Sequence, residues 1–334
     1  MLKLKIFRIL LLVSPGLLLS CAPYSLPEPK VYPTKDAALA VYMQSQDLYQ
    51  DHEYTQALQL IDSALAINQN VAQFYQLKGD ILRKLARYDS ALVSYLAASS
   101  QRSNNTEVYI SIAEIYHQQN HFHESVRYYR KALAVDTTLT PLYLEIVNNY
   151  ISLQEWEVGL NMLDDYSKLI QRRAQPFNQD YYYLKGKILF NQKKYPQAIQ
   201  ELLQYRPETA SSQAVLALLG RSYYNLANYE GGIPYFNKLV RLDAKKGEWY
   251  YYRGIYFFQK NNLADAENQF EVALSSDSTL YNCHYYLGKI YELQGEVRRA
   301  LEEFRLYRES MHSLQSLGSQ GDELRELKSY TEDQ

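Results

Sequence analysis

The side chains best suited to nucleophilic or metal chemistry are few: six histidines and two cysteines in 334 residues. Three of the histidines, His117, His121 and His123, crowd into the run HQQNHFH, with Glu114 one helical turn before His117. A His pair at i and i+4 on one helix can share a metal ion. Here the apolar periodicity breaks at His121, so the three imidazoles are a candidate metal site only if a turn folds them together. The alternative is that they are polar groove and turn residues. Cys283 sits in an apolar pattern, as a small hydrophobe or a lone reactive thiol. There is no CxxC, no HExxH, no Gly-x-Ser-x-Gly elbow and no glycine-rich nucleotide loop. No enzyme activity and no cofactor are therefore expected.

The other cysteine, Cys21, has a different context. Residues 1–8, MLKLKIFR, are basic, and residues 9–19, ILLLVSPGLLL, are apolar. Eleven residues fall short of the roughly 20 that a membrane-spanning helix needs, so this is a secretory signal set apart from the fold. Its end, Leu18-Leu19-Ser20-Cys21, resembles the bacterial lipobox. That resemblance implies a signal peptide over 1–20, cleavage before Cys21 and a diacylglycerol on the Cys21 thiol. Ala22, where an aspartate would imply inner-membrane retention, points to the outer membrane facing the periplasm. Residues 21–36 carry four prolines and read as an extended linker.

The elements that must position any site come from a repeat. An aromatic or aliphatic residue precedes a small one by three places at Tyr54/Ala57, Tyr88/Ala91, Phe122/Ser125, Trp156/Gly159, Tyr195/Ala198, Tyr229/Gly232, Leu263/Ala266 and Val297/Ala300. Repeats then begin at 38, 72, 106, 140, 179, 213, 247 and 281, a spacing of 34 broken once by five extra residues. Position 8 is small in seven units (Ser45, Gly79, Ala113, Gly186, Gly220, Gly254, Gly288), with Val147 the exception. Position 24 is large throughout: Ile61, Tyr95, Tyr129, Leu163, Leu202, Phe236, Phe270 and Phe304. Such a period signals stacked helical hairpins, none of which buries its apolar face alone.

The pattern resembles the tetratricopeptide-repeat family over residues 38–311. The resemblance implies an all-α fold: a right-handed α-solenoid of about eight helix-turn-helix hairpins. Residues 37–171 would hold repeats one to four and 172–311 repeats five to eight. Residues 168–180, with the insertion and Pro176, would form a hinge or bend. Residues 312–334 would be a cap or tail, with Leu324 and Leu327 on a short C-terminal capping helix. The family's usual proline near position 32 is missing, and Ser103, Thr137 and Ser278 stand there as candidate caps.

In this family the inner face is lined by positions 2, 5, 9, 12 and 13 of the first helix. Repeats one to three then present a polar surface, including Asp80, Arg83, Glu114 and His117. Repeats five to eight present Tyr183, Lys187, Asn191, Arg221, Tyr224, Asn225, Tyr251, Phe258, Tyr285 and Lys289, an aromatic and basic surface. Lys187/Asn191 and Arg221/Asn225 recur at the same repeat positions. Amides can bond an extended peptide backbone and bases can take a carboxylate. The set resembles the carboxylate clamp of chaperone-binding members, but at different positions, so that specificity does not transfer.

Composition limits the partner. Net charge is −2, and −5 once Lys3, Lys5 and Arg8 leave with the signal. Nucleic acid is not expected, since phosphate neutralisation needs a basic excess. Tyrosine is abundant, with 34 copies against 10 Phe and 2 Trp, which suits much half-buried surface. The expectation is a non-enzymatic, membrane-anchored scaffold binding other envelope proteins, in envelope assembly, secretion or hydrolase regulation. The competing reading is a glycan or cell-wall-fragment binding module. The Cys21 expectation has a direct check: in cells fed labelled palmitate, the wild-type chain takes up label and Cys21→Ser does not.

Overall fold

A computed structural model describes residues 35–102, 104–206 and 212–317. Every regular element among them is a helix, and none is long and apolar enough to cross a membrane. There are sixteen: α1 (Lys35–Gln50), α2 (Tyr54–Ile67), α3 (Ala72–Lys84), α4 (Tyr88–Gln101), α5 (Thr106–Gln118), α6 (Phe122–Val135), α7 (Pro141–Ser152), α8 (Trp156–Arg172), α9 (Gln179–Asn191), α10 (Tyr195–Leu202), α11 (Ser212–Asn225), α12 (Tyr229–Leu242), α13 (Gly247–Gln259), α14 (Leu263–Ser276), α15 (Asn282–Gln294) and α16 (Val297–Leu317). They pack as consecutive pairs, α1 with α2 through α15 with α16, and each pair packs on the next. This is the eight-hairpin stack that the repeat implied.

Within a hairpin, the small residue at position 8 makes room for the large one at position 24. A Cβ added to Gly79 would lie 2.6 Å from the Tyr95 ring, and one at Gly254 equally close to Phe270. Both rings are fully buried. The small residue at position 20 closes the same contact from the second helix. Ser45 Oγ donates to the Ala57 carbonyl at 2.8 Å, and Gly232 packs on the Gly220 carbonyl. Repeat four differs: Val147 takes position 8, and a Cβ added to Gly159 at position 20 would lie 4.0 Å from Val147 and 3.0 Å from Ile188.

The turn inside each hairpin is the same although its residues differ. Position 15 is left-handed in all eight: His52, Ala86, Asn120, Gln154, Lys193, Ala227, Asn261 and Gly295. Only the last is glycine, which bears no Cβ penalty there. In repeats two and three, Ala86 N–H donates to Arg83 O and Arg87 N–H to Leu82 O, as Asn120 and His121 do to His117 O and Tyr116 O. These bonds satisfy carbonyls that the helix end would leave bare. They offset the roughly 1–2 kcal/mol that a Cβ costs in this conformation.

One expectation changes. Thr137 and Ser278 do not cap the helices that follow: α7 and α15 begin without a side-chain cap. Asp136 and Asp277 instead accept the backbone and hydroxyl of Thr138 and Thr279. Side-chain caps come from Asn105, Asn178, Asn228 and Asn262. The 168–180 insertion, expected as a hinge or bend, makes defined contacts with its neighbours. It lengthens α8, Arg173 donates to the carbonyls of Thr137 and Thr138, and Phe177 packs 4.8 Å from Tyr181. In repeat five the second helix, α10, stops at Leu202 after 8 residues. Pro207, which has no N–H, follows shortly. Ser103 and the cap segment at 322–330 lie outside the described residues.

Gly254→Ala tests the core contact. Helix propensity favours alanine by up to about 1 kcal/mol, but overpacking against a ring that cannot move costs about 1–3 kcal/mol. Urea unfolding is expected to show a net loss of about 1–2 kcal/mol, partly restored by adding Phe270→Leu. An unchanged midpoint would remove this contact from the account.

Candidate functional site

The first helices of repeats five to eight bring some of the inner-face residues together and bury others. Arg221 is the junction. Its guanidinium donates through Nε to Glu248 at 2.8 Å, and Nη2 binds the same carboxylate oxygen. Lys246 lies 3.7 Å from the other carboxylate oxygen of Glu248. On one side of Arg221 is a cleft of ≈ 340 Å³ between repeats six, seven and eight, walled by Lys246, Glu248, Tyr251, Tyr252, Tyr281 and Asn282 among others. On the other is a smaller cleft of ≈ 120 Å³, walled by Phe190, Asn191, Tyr195, Asn225 and Tyr252. Arg221 and Tyr252 line both.

The remaining expected residues have structural partners. Lys187 lies over the Tyr183 ring at 5.9 Å, and burial pulls its pKa down. Asn191 donates to the Lys187 carbonyl at 2.7 Å. Tyr224 stands edge-on to Tyr252 at 5.0 Å and its hydroxyl is hydrogen-bonded to that of Tyr286. Tyr251 is a core side chain, 9% exposed, and its phenol is pushed up by burial first and neighbouring tyrosines second. Phe258 packs edge-on to Tyr286, and Tyr285 lies between Phe304 and Tyr307. Lys289 donates to Glu292 at 2.9 Å. Asn225 is exposed. Of the ten, then, Asn191, Arg221, Asn225 and Tyr251 meet at the two clefts, while Tyr183, Lys187, Tyr224, Phe258, Tyr285 and Lys289 do not line them.

Two of the three bases are thus neutralised by carboxylates, so the face is aromatic and amide-rich more than basic. The repeat register puts Glu248 and Asn282 at position 2, an inner-face position, and that is the signal that finds them. Tyr252, at position 6, carries no such signal.

Repeats two to four tie their inner face together differently. Tyr95 donates its hydroxyl to Asp80 at 2.6 Å, and Arg83 pairs with Glu114 at 3.0 Å. Burial raises the carboxyls of Asp80 and Glu145 above their usual range; the Tyr95 hydrogen bond partly offsets it at Asp80, while Glu114 and Asp180 add to it at Glu145. The three histidines go separate ways. His117 Nδ1 is 3.0 Å from the buried Asn149 amide oxygen, His121 stacks on Tyr116, and His123 is exposed. Among the described residues, no group of three or more His, Cys, Asp or Glu side chains is placed to share a metal ion. Cys283 is buried and its thiol is pushed up by desolvation, the state of a packing residue.

Comparison with known proteins agrees with this architecture. Tetratricopeptide-repeat models match residues 72–105, 106–138, 163–214 and 218–280. A TPR repeat-containing protein of Methanocaldococcus jannaschii is 23% identical over 297 residues, covering 72% of this chain and 52% of that protein. The DnaJ protein P58IPK homolog A of Oryza sativa subsp. japonica is 24% identical over 232 residues, covering 62% and 48%. The chain thus spans about half the length of these relatives. A tetratricopeptide repeat protein structure from Parabacteroides merdae superposes with a TM-score of 0.54 at 14% identity, covering 76% of this chain and 98% of that one.

The Arg221–Glu248 pair is half-buried and joins repeat six to repeat seven. Glu248→Ala is expected to cost about 1.5–3 kcal/mol in urea unfolding, as for hydrogen bonds to a charged group. Arg221→Ala added to it should cost less than its own single-mutant loss. Strict additivity would show the pair to be uncoupled.

Proposed function

The chain belongs to the tetratricopeptide-repeat family, and on that premise we propose that it is a lipid-anchored, non-enzymatic scaffold of the bacterial envelope. The family's fold serves as a protein-interaction scaffold, and that much carries over to this chain. The finer reading is that Cys21 tethers it to the outer membrane on the periplasmic side. Residues 21–36 would hold the solenoid off the bilayer, and the inner face of repeats five to eight would take an extended or helical segment of another envelope protein. Envelope assembly, secretion and hydrolase regulation are the processes such an anchor and face would suit.

One observation carries the choice of face: two adjoining clefts share Arg221 and Tyr252, with exposed amides beside them at Asn191 and Asn225. Aromatic walls with a central arginine are enriched where interfaces concentrate their energy. The neighbouring amides can bond a peptide backbone without demanding a particular side chain. Arg221 and Tyr224 also hold the repeats together, so mutating them would confuse loss of partner with loss of fold. Asn191 and Asn225, exposed at the smaller cleft, are the cleaner probes.

Crosslinking pulldown from membranes with the full chain is the test. Asn191→Ala combined with Asn225→Ala is expected to lower protein capture at least about tenfold, or ~1.4 kcal/mol, with an unchanged helical circular dichroism spectrum. Undiminished capture would reject this face. Capture of cell-wall glycan in place of protein would reject the scaffold reading.

A further inference from the structure

The larger of the two clefts reaches the loop edge of the stack, where the start of α13 meets the turn between α14 and α15. Gly247 brings those two segments together. A Cβ there would lie 2.6 Å from the Ala273 carbonyl oxygen and 3.2 Å from the Asp277 side chain. Position 1 is glycine in repeat seven alone, so this close approach is particular to the one cleft.

Each of the two segments brings a charge to the cleft, and the charges do not meet. On the α13 side, the Lys246 ammonium sits 4.6 Å over the Trp249 ring and 3.7 Å from Glu248. Arg221 already neutralises that carboxylate, and 3.7 Å is too long for a hydrogen bond. The ring and the carboxylate thus hold Lys246 in place while its N–H donors stay open to a ligand. On the other side, Asp277 Oδ1 accepts the Thr279 backbone at 2.9 Å and the Thr279 hydroxyl at 2.6 Å. Among the described residues, Asp277 Oδ2 has no hydrogen-bond partner and no base pairs with this carboxylate. Asp136, at the same position of repeat three, makes the same turn but has Arg173 nearby.

The remaining walls are apolar or amide. Tyr252 and Tyr281 are buried and Leu280 is half-buried. Asn282 stands in the first turn of α15, which has no side-chain cap, and its half-buried amide lines the cleft. The volume of ≈ 340 Å³ falls at the small end of the range of ligand pockets. A ligand with only a negative charge would satisfy Lys246 and meet Asp277 as a like charge. One with only a positive charge would do the reverse. A small molecule carrying both charges satisfies both walls.

We propose that this cleft binds a small zwitterion, a free amino acid or short peptide with an apolar side chain. Its α-ammonium goes to Asp277, its carboxylate to Lys246 and the Asn282 amide, and its side chain to the tyrosines. Binding needs no partner protein, so this inference stands or falls apart from the scaffold reading.

Titration calorimetry on the full chain tests this with four probes: phenylalanine, alanylphenylalanine, phenylalanine amide and N-acetylphenylalanine. At least one of the first two is expected to bind saturably, and each singly charged analogue at least about tenfold more weakly. The tighter of the two zwitterions tells a free amino acid from a peptide fragment. Asp277→Asn, which keeps an oxygen for Thr279, should weaken the zwitterion about tenfold and leave N-acetylphenylalanine unchanged. Lys246→Gln should weaken the zwitterion and leave phenylalanine amide unchanged. That crossed pattern separates contact with the ligand from a general loss of fold. No saturable heat with either zwitterion overturns the proposal. So does equal affinity for all four probes, because the cleft would then be an apolar pocket without charge recognition.

Discussion

The structure depends on one steric exchange, repeated along the stack: a large side chain at position 24 occupies space that a small residue at position 8 leaves open. Protein interiors pack at crystal-like density, so a single methylene at this contact is felt. Helices of about 13 residues are marginal alone in water. The close approach gives each hairpin a dry interior, and the large residue then presents its outer side to the next hairpin. Phe236 and Phe270 do both, meeting a glycine in their own repeat and a stacked tyrosine in the next. The abundance of tyrosine follows. Rings at such seams keep one side in the core and bring a hydroxyl to the rim, where it finds a carboxylate or another phenol.

Between hairpins, polar ties supplement the rings. Arg83–Glu114, His117–Asn149, Arg221–Glu248 and Gln192–Glu157 each join neighbouring repeats. Many charges that look available for a ligand are therefore engaged in holding the face. This changes its chemistry. A surface that reads as basic by residue type is neutral at Arg221 and Lys289, and its free polar groups are mostly amides. Such a face offers shape and backbone-bonding groups more than charge.

Repeat four and the insertion after it show how the stack tolerates irregularity. Val147 stands where the other repeats have a small residue, and Gly159, with no side chain, leaves room beside it and Ile188. The extra residues are absorbed by a longer α8, a left-handed Ala174 and the Phe177 ring. A continuous apolar cluster runs through α7, α8 and α9.

The sequence by itself determined the number of hairpins, their register and the residues at their close contacts. Those relations lie within one hairpin, 12 or 16 residues apart, and the period of 34 repeats them. It also offered Cys21 as a candidate lipid site, an expectation read from local composition alone. Only the tertiary structure decided which inner-face residues are free. Tyr251 is core, Arg221 is paired with a residue 27 positions away, and Tyr252 is a cleft wall, because these depend on how one repeat rotates against the next. The left-handed turns were equally hidden. His, Ala, Asn, Gln and Lys all adopt them, since the hydrogen bonds closing the helix end impose the conformation whatever the side chain.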